Sequence, residues 1–95
     1  MAEPAKAHSH EHPLDLRKAF IRRTTLDHAS LRGANLTEAD LTNASARFAD
    51  FTGAILDRTI LRGTDLTGAR ITADQLRRAI TDDRTILPEG LDRKP

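Results

Sequence analysis

The stretch Ala34-Asn35-Leu36-Thr37-Glu38-Ala39-Asp40-Leu41 begins a pattern and, five residues later, begins it again: a small residue, a short polar one, a leucine, then two variable positions. Followed in both directions, the large slot recurs as Ile21, Leu26, Leu31, Leu36, Leu41, Ala46, Phe51, Leu56, Leu61, Leu66 and Ile71. Two residues before each of these stands Ala19, Thr24, Ala29, Ala34, Ala39, Ala44, Ala49, Ala54, Thr59, Thr64 or Ala69, so two linked columns run through one segment. A fixed internal period takes precedence over local propensity in reading such a chain.

Neither regular element accommodates a period of five. On an α-helix, five residues advance about 500°, so successive large residues would land about 140° apart and no face could collect them. In a straight strand an odd period sends alternate members to opposite faces. Both columns point inward only if the backbone turns a corner every five residues. Four such sides would close a coil of about twenty residues, and coils would stack through backbone hydrogen bonds at about 4.8 Å.

The remaining slots agree. Gly33, Gly53, Gly63 and Gly68, with Asn43, stand two residues after the large slot, where a type II corner needs φ > 0. Asn35, Asp40, Asp50 and Asp65 precede the large slot and point outward, where short polar side chains bond nearby backbone. Runs such as Ala34-Asn35-Leu36-Thr37-Glu38 resemble the A-(D/N)-L-x-x motif of the pentapeptide-repeat family, from about Ala19 to Ala73. The resemblance implies an all-β solenoid, a right-handed quadrilateral β-helix. On that segment it would have under three coils.

The ends depart from the repeat. Residues 1–14 form a polar, His-containing tail expected to be disordered; 15–73 form the β-helix; 74–95 form a C-terminal capping helix and a fold-back tail. Leu76, Ala79 and Ile80 follow helical spacing, with Thr72 as N-cap and Gln75 three residues on, so a helix is expected from about Ala73 to Thr81. It would lid the last coil. The segment Thr85-Ile86-Leu87-Pro88-Glu89-Gly90-Leu91 resembles the Leu-Pro-x-Gly-Leu endings that follow such repeats, and is expected to fold back toward the outward pair Ile55 and Ile60. Leu14, Leu16 and Phe20 begin the first coil or cap its open end. Residues twenty apart should stack, which places Asp27 under Arg47, Glu38 under Arg58, Asp50 under Arg70 and His28 under Phe48.

Composition narrows the function classes. Lys+Arg 15 against Asp+Glu 14 gives a formal net charge of +1, so neither a generic basic nucleic-acid surface nor an acidic mimic is favoured. Within the repeat, Arg22, Arg23, Arg32, Arg47, Arg58, Arg62 and Arg70 are interleaved with acids, and few aromatics accompany them. Arg22 and Arg62 do share an outward column around Thr42. The absence of Cys excludes a disulfide framework and a thiol nucleophile. No segment reads as a secretory leader or a membrane span, and the protein is expected to be soluble and cytoplasmic.

Few constellations carry chemistry. His8, His10 and His12 could offer imidazoles to a transition metal, but without the closed ligand set of a structural zinc site. His28, Asp27, Ser30 and Thr25 lie close in sequence, yet no nucleophile elbow or phosphate-cradling loop accompanies them. The reading is therefore a non-catalytic protein-interaction or scaffold module with no cofactor, a protein partner and no membrane, whose contacts lie on Phe20, Phe48, Ile55 and Ile60. Unpaired strand edges on the first coil make a homodimer a further expectation. Two alternatives stand beside it. One is metal binding by the His tail. The other, from the resemblance, is DNA mimicry toward a type II topoisomerase, as in family members that protect that enzyme from quinolones; this chain lacks their acidic excess and length.

Overall fold

The computed structural model describes residues 14–91. Its backbone keeps a twenty-residue register in four parallel columns. Asp15, Asn35 and Ile55 form one column; Phe20, Asp40, Ile60 and Ile80 the second; Thr25, Ser45, Asp65 and Ile86 the third; Ser30, Asp50 and Arg70 the fourth. The bridging residue is always the one before the large slot. Leu36 N–H donates to the Ile55 carbonyl one rung on, at 2.9 Å, and Ile55 N–H donates back to the Ala34 carbonyl at 2.9 Å. Rungs 14–33, 34–53 and 54–73 thus stack as a solenoid, with pairing that starts at Asp15, four residues before the repeat pattern becomes legible.

The large slots fill the interior. Leu36, Leu41, Phe51, Leu56, Leu61 and Leu66 are fully buried, with Ala34, Ala39, Ala46 and Ala49 between them. Each large side chain removed from water contributes about 1.5–3 kcal/mol. Leu16, Ile21 and Leu26 on the first rung are only partly buried, since none of the described residues forms a rung beneath them. Threonine enters the small slot without an orphaned hydroxyl. Thr59 Oγ1 donates to the Leu36 carbonyl at 2.6 Å and Thr64 Oγ1 to the Leu41 carbonyl at 2.7 Å, one rung below. Thr24, on the first rung, donates instead to the nearby Arg22 carbonyl at 3.2 Å.

Corners turn with φ > 0 regardless of residue type. Lys18, Arg23, His28, Glu38, Asn43, Phe48 and Arg58 adopt it alongside the corner glycines. Glycine at two corners answers a neighbour as well as a dihedral: a Cβ on Gly63 would collide with Asn43 Oδ1, and one on Gly68 with the Phe48 ring. The side chain beneath occupies the space that a Cβ would need.

The stacked pairs expected from the register form in part. Lys18, Glu38 and Arg58 make a corner column, at 3.9 Å and 3.2 Å, and the His28 and Phe48 rings stack with centroids 5.2 Å apart. Two expected ion pairs are replaced by others. Asp27 accepts from Ser45 Oγ and the Arg47 N–H, while the Arg47 guanidinium reaches Asp65 at 3.8 Å. Asp50 takes Arg32 at 3.0 Å rather than Arg70. With Arg22–Asp40 at 3.7 Å, these pairs share an offset of eighteen residues. A side chain just after a large slot leans across the side toward the acid just before the next rung's large slot.

At the C-terminal end the helix is Ala73–Arg78, shorter than expected from Leu76, Ala79 and Ile80. Ile80 leaves it because backbone pairing claims it: its N–H donates to the Thr59 carbonyl at 2.8 Å, and its carbonyl accepts from Leu61 N–H at 2.7 Å. Thr72 and Gln75 form the capping box as expected. Gln75 does more than cap. Its Nε2 donates to the Phe51 and Ala54 carbonyls at 2.8 Å and 2.9 Å, and the latter is a carbonyl that a continued strand would have bonded. Beyond the helix, the chain extends the Asp65 column through Ile86 instead of crossing to Ile55, which stays 44% exposed. One extra residue enters here, and Thr85 still donates to the Leu61 carbonyl at 2.7 Å.

Two measurements follow. Gln75→Glu keeps an accepting oxygen for the capping box but loses both donations and sets a carboxylate against two carbonyls; a loss of about 2 kcal/mol is expected in urea unfolding. Arg23→Gly relieves a left-handed corner while keeping the N–H bond to the Thr42 carbonyl. A gain of up to about 1 kcal/mol is expected, read as a rise of a few degrees in the thermal midpoint.

Candidate interaction face

Side chains before the large slot point outward at mid-face, so each bridge column is also a surface stripe. Most such slots on the second rung are clamped polar residues. Asn35, Asp40 and Asp50 each accept from the backbone N–H and the hydroxyl of the threonine two residues on, with N–H distances of 3.1, 3.0 and 3.0 Å, and Asp65 does the same on the third rung. Where isoleucine replaces the acid at Ile55 and Ile60, the threonine is gone too, replaced by Asp57 and Arg62. The clamp is dropped as a unit.

The second column therefore reads Phe20, Asp40, Ile60, Ile80 from the N-terminal edge upward. Phe20 is 83% exposed; Ile60 and Ile80 are half-buried. Beside it runs the parallel stripe Arg22, Thr42, Arg62. Asp40, between the apolar members, is held below the usual carboxylate range, first by the Thr42 hydroxyl, then by the Thr42 N–H and the charges of Arg22 and Arg62. The face is thus apolar at both ends, with an ionised aspartate and two arginines in its middle.

Of the residues singled out from sequence, Phe20 and Ile60 share this face, with Asp40 between them. Ile55 lies at the level of Ile60 on the neighbouring column, and Phe48 stands at the corner between the Ser45 and Asp50 columns, against His28. Ile80 was missed. Its signal was the register, twenty residues after Ile60, which the helical spacing of Leu76 and Ala79 masked. A second feature is an open cavity of about 320 Å³ at the C-terminal end, lined by Leu76, Arg77, Ala79, Leu87 and Leu91 among others.

The described neighbours of His28 in sequence do not converge on it. Thr25 and Ser30 are bridge residues of different columns, and the Asp27 carboxylate is taken by Ser45 and Arg47. His8, His10 and His12 lie outside the described residues. Among the described residues no group of three His, Cys, Asp or Glu side chains could hold a metal ion, and no helix is long and apolar enough to cross a membrane.

The threonine clamps have a pH signature. Asp50 is lowered to about 2, chiefly by the Thr52 hydroxyl, then by the Thr52 N–H and Arg32. A carboxylate whose folded pKa lies below its unfolded value contributes stability above the unfolded value and loses it as pH falls through the folded one. Stability from Asp50 should therefore be fully present above about pH 4 and fade toward pH 2. Asp50→Asn, which keeps an accepting oxygen as Asn35 does, should flatten that acid limb in urea titrations at successive pH values.

The profile of the family described as pentapeptide repeats matches the chain in 8 copies, over residues 19–58, 34–72 and 47–80. No curated protein sequence matches it significantly. Among solved structures it is similar to Rfr23, a pentapeptide repeat protein from the cyanobacterium Cyanothece 51142, at 32% identity and a TM-score of 0.48, over 80% of this chain and 52% of that one. It is also similar to alr5209, a pentapeptide repeat protein from Nostoc Pcc 7120, at 24% identity and a TM-score of 0.41, over 92% of this chain and 84% of that one. The chain spans about half the length of Rfr23.

Proposed function

The chain belongs to the pentapeptide-repeat family, whose fold is a right-handed β-helix, and we propose that it is a non-catalytic protein-interaction module working through the Phe20–Asp40–Ile60–Ile80 face. On this reading the solenoid is quadrilateral, and the helix Ala73–Arg78 is its C-terminal cap.

The observation that carries the reading is the isoleucine substitution at the bridge slots. Asn35 and Asp40 are clamped and polar, whereas Ile55 and Ile60, one rung up, have lost both clamp members. A side chain that served only to finish a corner would have kept the clamp. The apolar area that Ile55 and Ile60 leave in water gains nothing for the monomer, but it gains on burial against a partner. The flanking Arg22 and Arg62 suit a partner surface that is apolar with acidic rims. They are also opposite in sign to what a duplex mimic must present on this face.

Affinity capture from the native host at near-physiological salt tests the face. Ile60→Lys and Phe20→Lys should each weaken recovery of a specific protein by roughly thirtyfold, the loss typical of a central contact. Phe48→Lys, at the off-face corner, should retain it. Equal recovery by all three variants, or no specific protein with the unaltered chain, rejects the proposal.

A further inference from the structure

The two ends of the solenoid are unlike. At the C-terminal end the helix Ala73–Arg78 lies over the column of Ile55, and Ile80 and Ile86 extend the next two columns. Among the described residues the N-terminal end has no such cover. On the second rung, Asp40, Ser45 and Asp50 donate down to the Ala19, Thr24 and Ala29 carbonyls, each at 2.9 Å, and their own carbonyls accept from Ile21, Leu26 and Leu31. One rung lower, the N–H and C=O groups of Phe20, Thr25 and Ser30 have no hydrogen-bond partner among the described residues. Three sides thus present an unused ladder, around the half-buried Leu16, Ile21 and Leu26.

We infer that this edge pairs with the same edge of a second copy, giving a two-fold dimer joined N-terminal rung to N-terminal rung. A two-fold axis across the solenoid reverses the sense in which the chain circulates, so facing strands run antiparallel, the geometry of a hairpin ladder. Head-to-tail growth is blocked because the other end carries the helix and the Ile80 and Ile86 strands. Closure on its like is what remains. The residues ahead of Leu14 are poorly suited to the edge: they carry one large apolar side chain, Met1, and Pro4 and Pro13 lack N–H groups.

Charge opposes the contact only weakly, since among the described residues Arg23 is the one first-rung Lys or Arg without an ion pair. The first rung is rich in bases, but Lys18, Arg22 and Arg32 reach upward to Glu38, Asp40 and Asp50, and Arg17 pairs with Asp15. The contact is confined to one rung face of a solenoid only a few rungs tall, at the small end of specific interfaces, so a weak, concentration-dependent dimer is expected.

Sedimentation of the full chain across a concentration series, with amide exchange read residue by residue, tests this. The expected result is a mass rising toward twice 10.5 kDa, with the Phe20, Thr25 and Ser30 amides protected at high concentration and exposed on dilution. Thr25→Pro removes an edge donor that makes no bond within the protomer, so its melting as a monomer should be unchanged while dimer dissociation rises roughly tenfold. The exchange pattern of the unaltered chain decides the matter even if that variant fails to fold. A mass of one chain at every concentration overturns the inference, as do edge amides protected in a monomer, which would mean the chain's own N-terminal residues cover them. A dimer untouched by Thr25→Pro but broken by Leu87→Glu, which places the contact at the other end, overturns it too.

Discussion

Everything in this molecule depends on a backbone that must turn left-handed every five residues so that one stack of apolar side chains can be shared by successive rungs. The turn is unfavourable for most residues, costing about 1–2 kcal/mol where a Cβ is present, yet Lys18, Arg23, His28, Glu38, Phe48 and Arg58 all adopt it. Burial of Leu36, Leu41, Phe51, Leu56, Leu61 and Leu66 offsets that cost. Parallel pairing at twenty-residue intervals then uses the backbone groups that the corners bring into line. The small slot accepts threonine because its hydroxyl finds a carbonyl of the rung below, so the interior admits a polar atom without leaving it unsatisfied.

The features legible in the sequence are those fixed by the inward columns. The large and small slots, the left-handed corner and the Thr72–Gln75 capping box could all be read from residue type and spacing, since each is a local demand. The features that were not legible arise where two local demands compete for one residue. Ile80 satisfies helical spacing with Leu76, but two backbone hydrogen bonds to the rung below outweigh the last turn of a short helix. Asp27 and Asp50 lie under arginines by register, yet a short side chain bonds what is near it. For Asp27 that is Ser45 and the Arg47 N–H, and for Asp50 it is Thr52 and Arg32. The first rung extends below the repeat pattern because Leu16 fills the large slot and Ala19 the next small one, while Arg17 and Lys18 between them carry no repeat signature.

The candidate face was half visible for a related reason. Phe20 and Ile60 stood out as apolar residues in outward slots, but only the register shows that they share a stripe with Ile80 and that an aspartate sits between. Gln75 has a contribution no spacing rule reveals. Its side-chain amide finishes carbonyls of the rung below at the place where the chain stops being a strand. A helix that carries no fully buried residue is thereby tied to the core by polar bonds as well as by Leu76.

The seat of that helix shows how the fold tolerates change in length. A single additional residue was absorbed between Ile80 and Thr85, past the stacked rungs, where the chain is free to bulge and rejoin its column. Within the stack the arithmetic is stricter. Adding one pentapeptide would rotate everything above it by a quarter turn, and Gln75 would arrive over the wrong wall, away from the two carbonyls it serves. A full circuit of twenty residues would instead return every wall to its own column, so this molecule can grow by whole storeys and by nothing smaller.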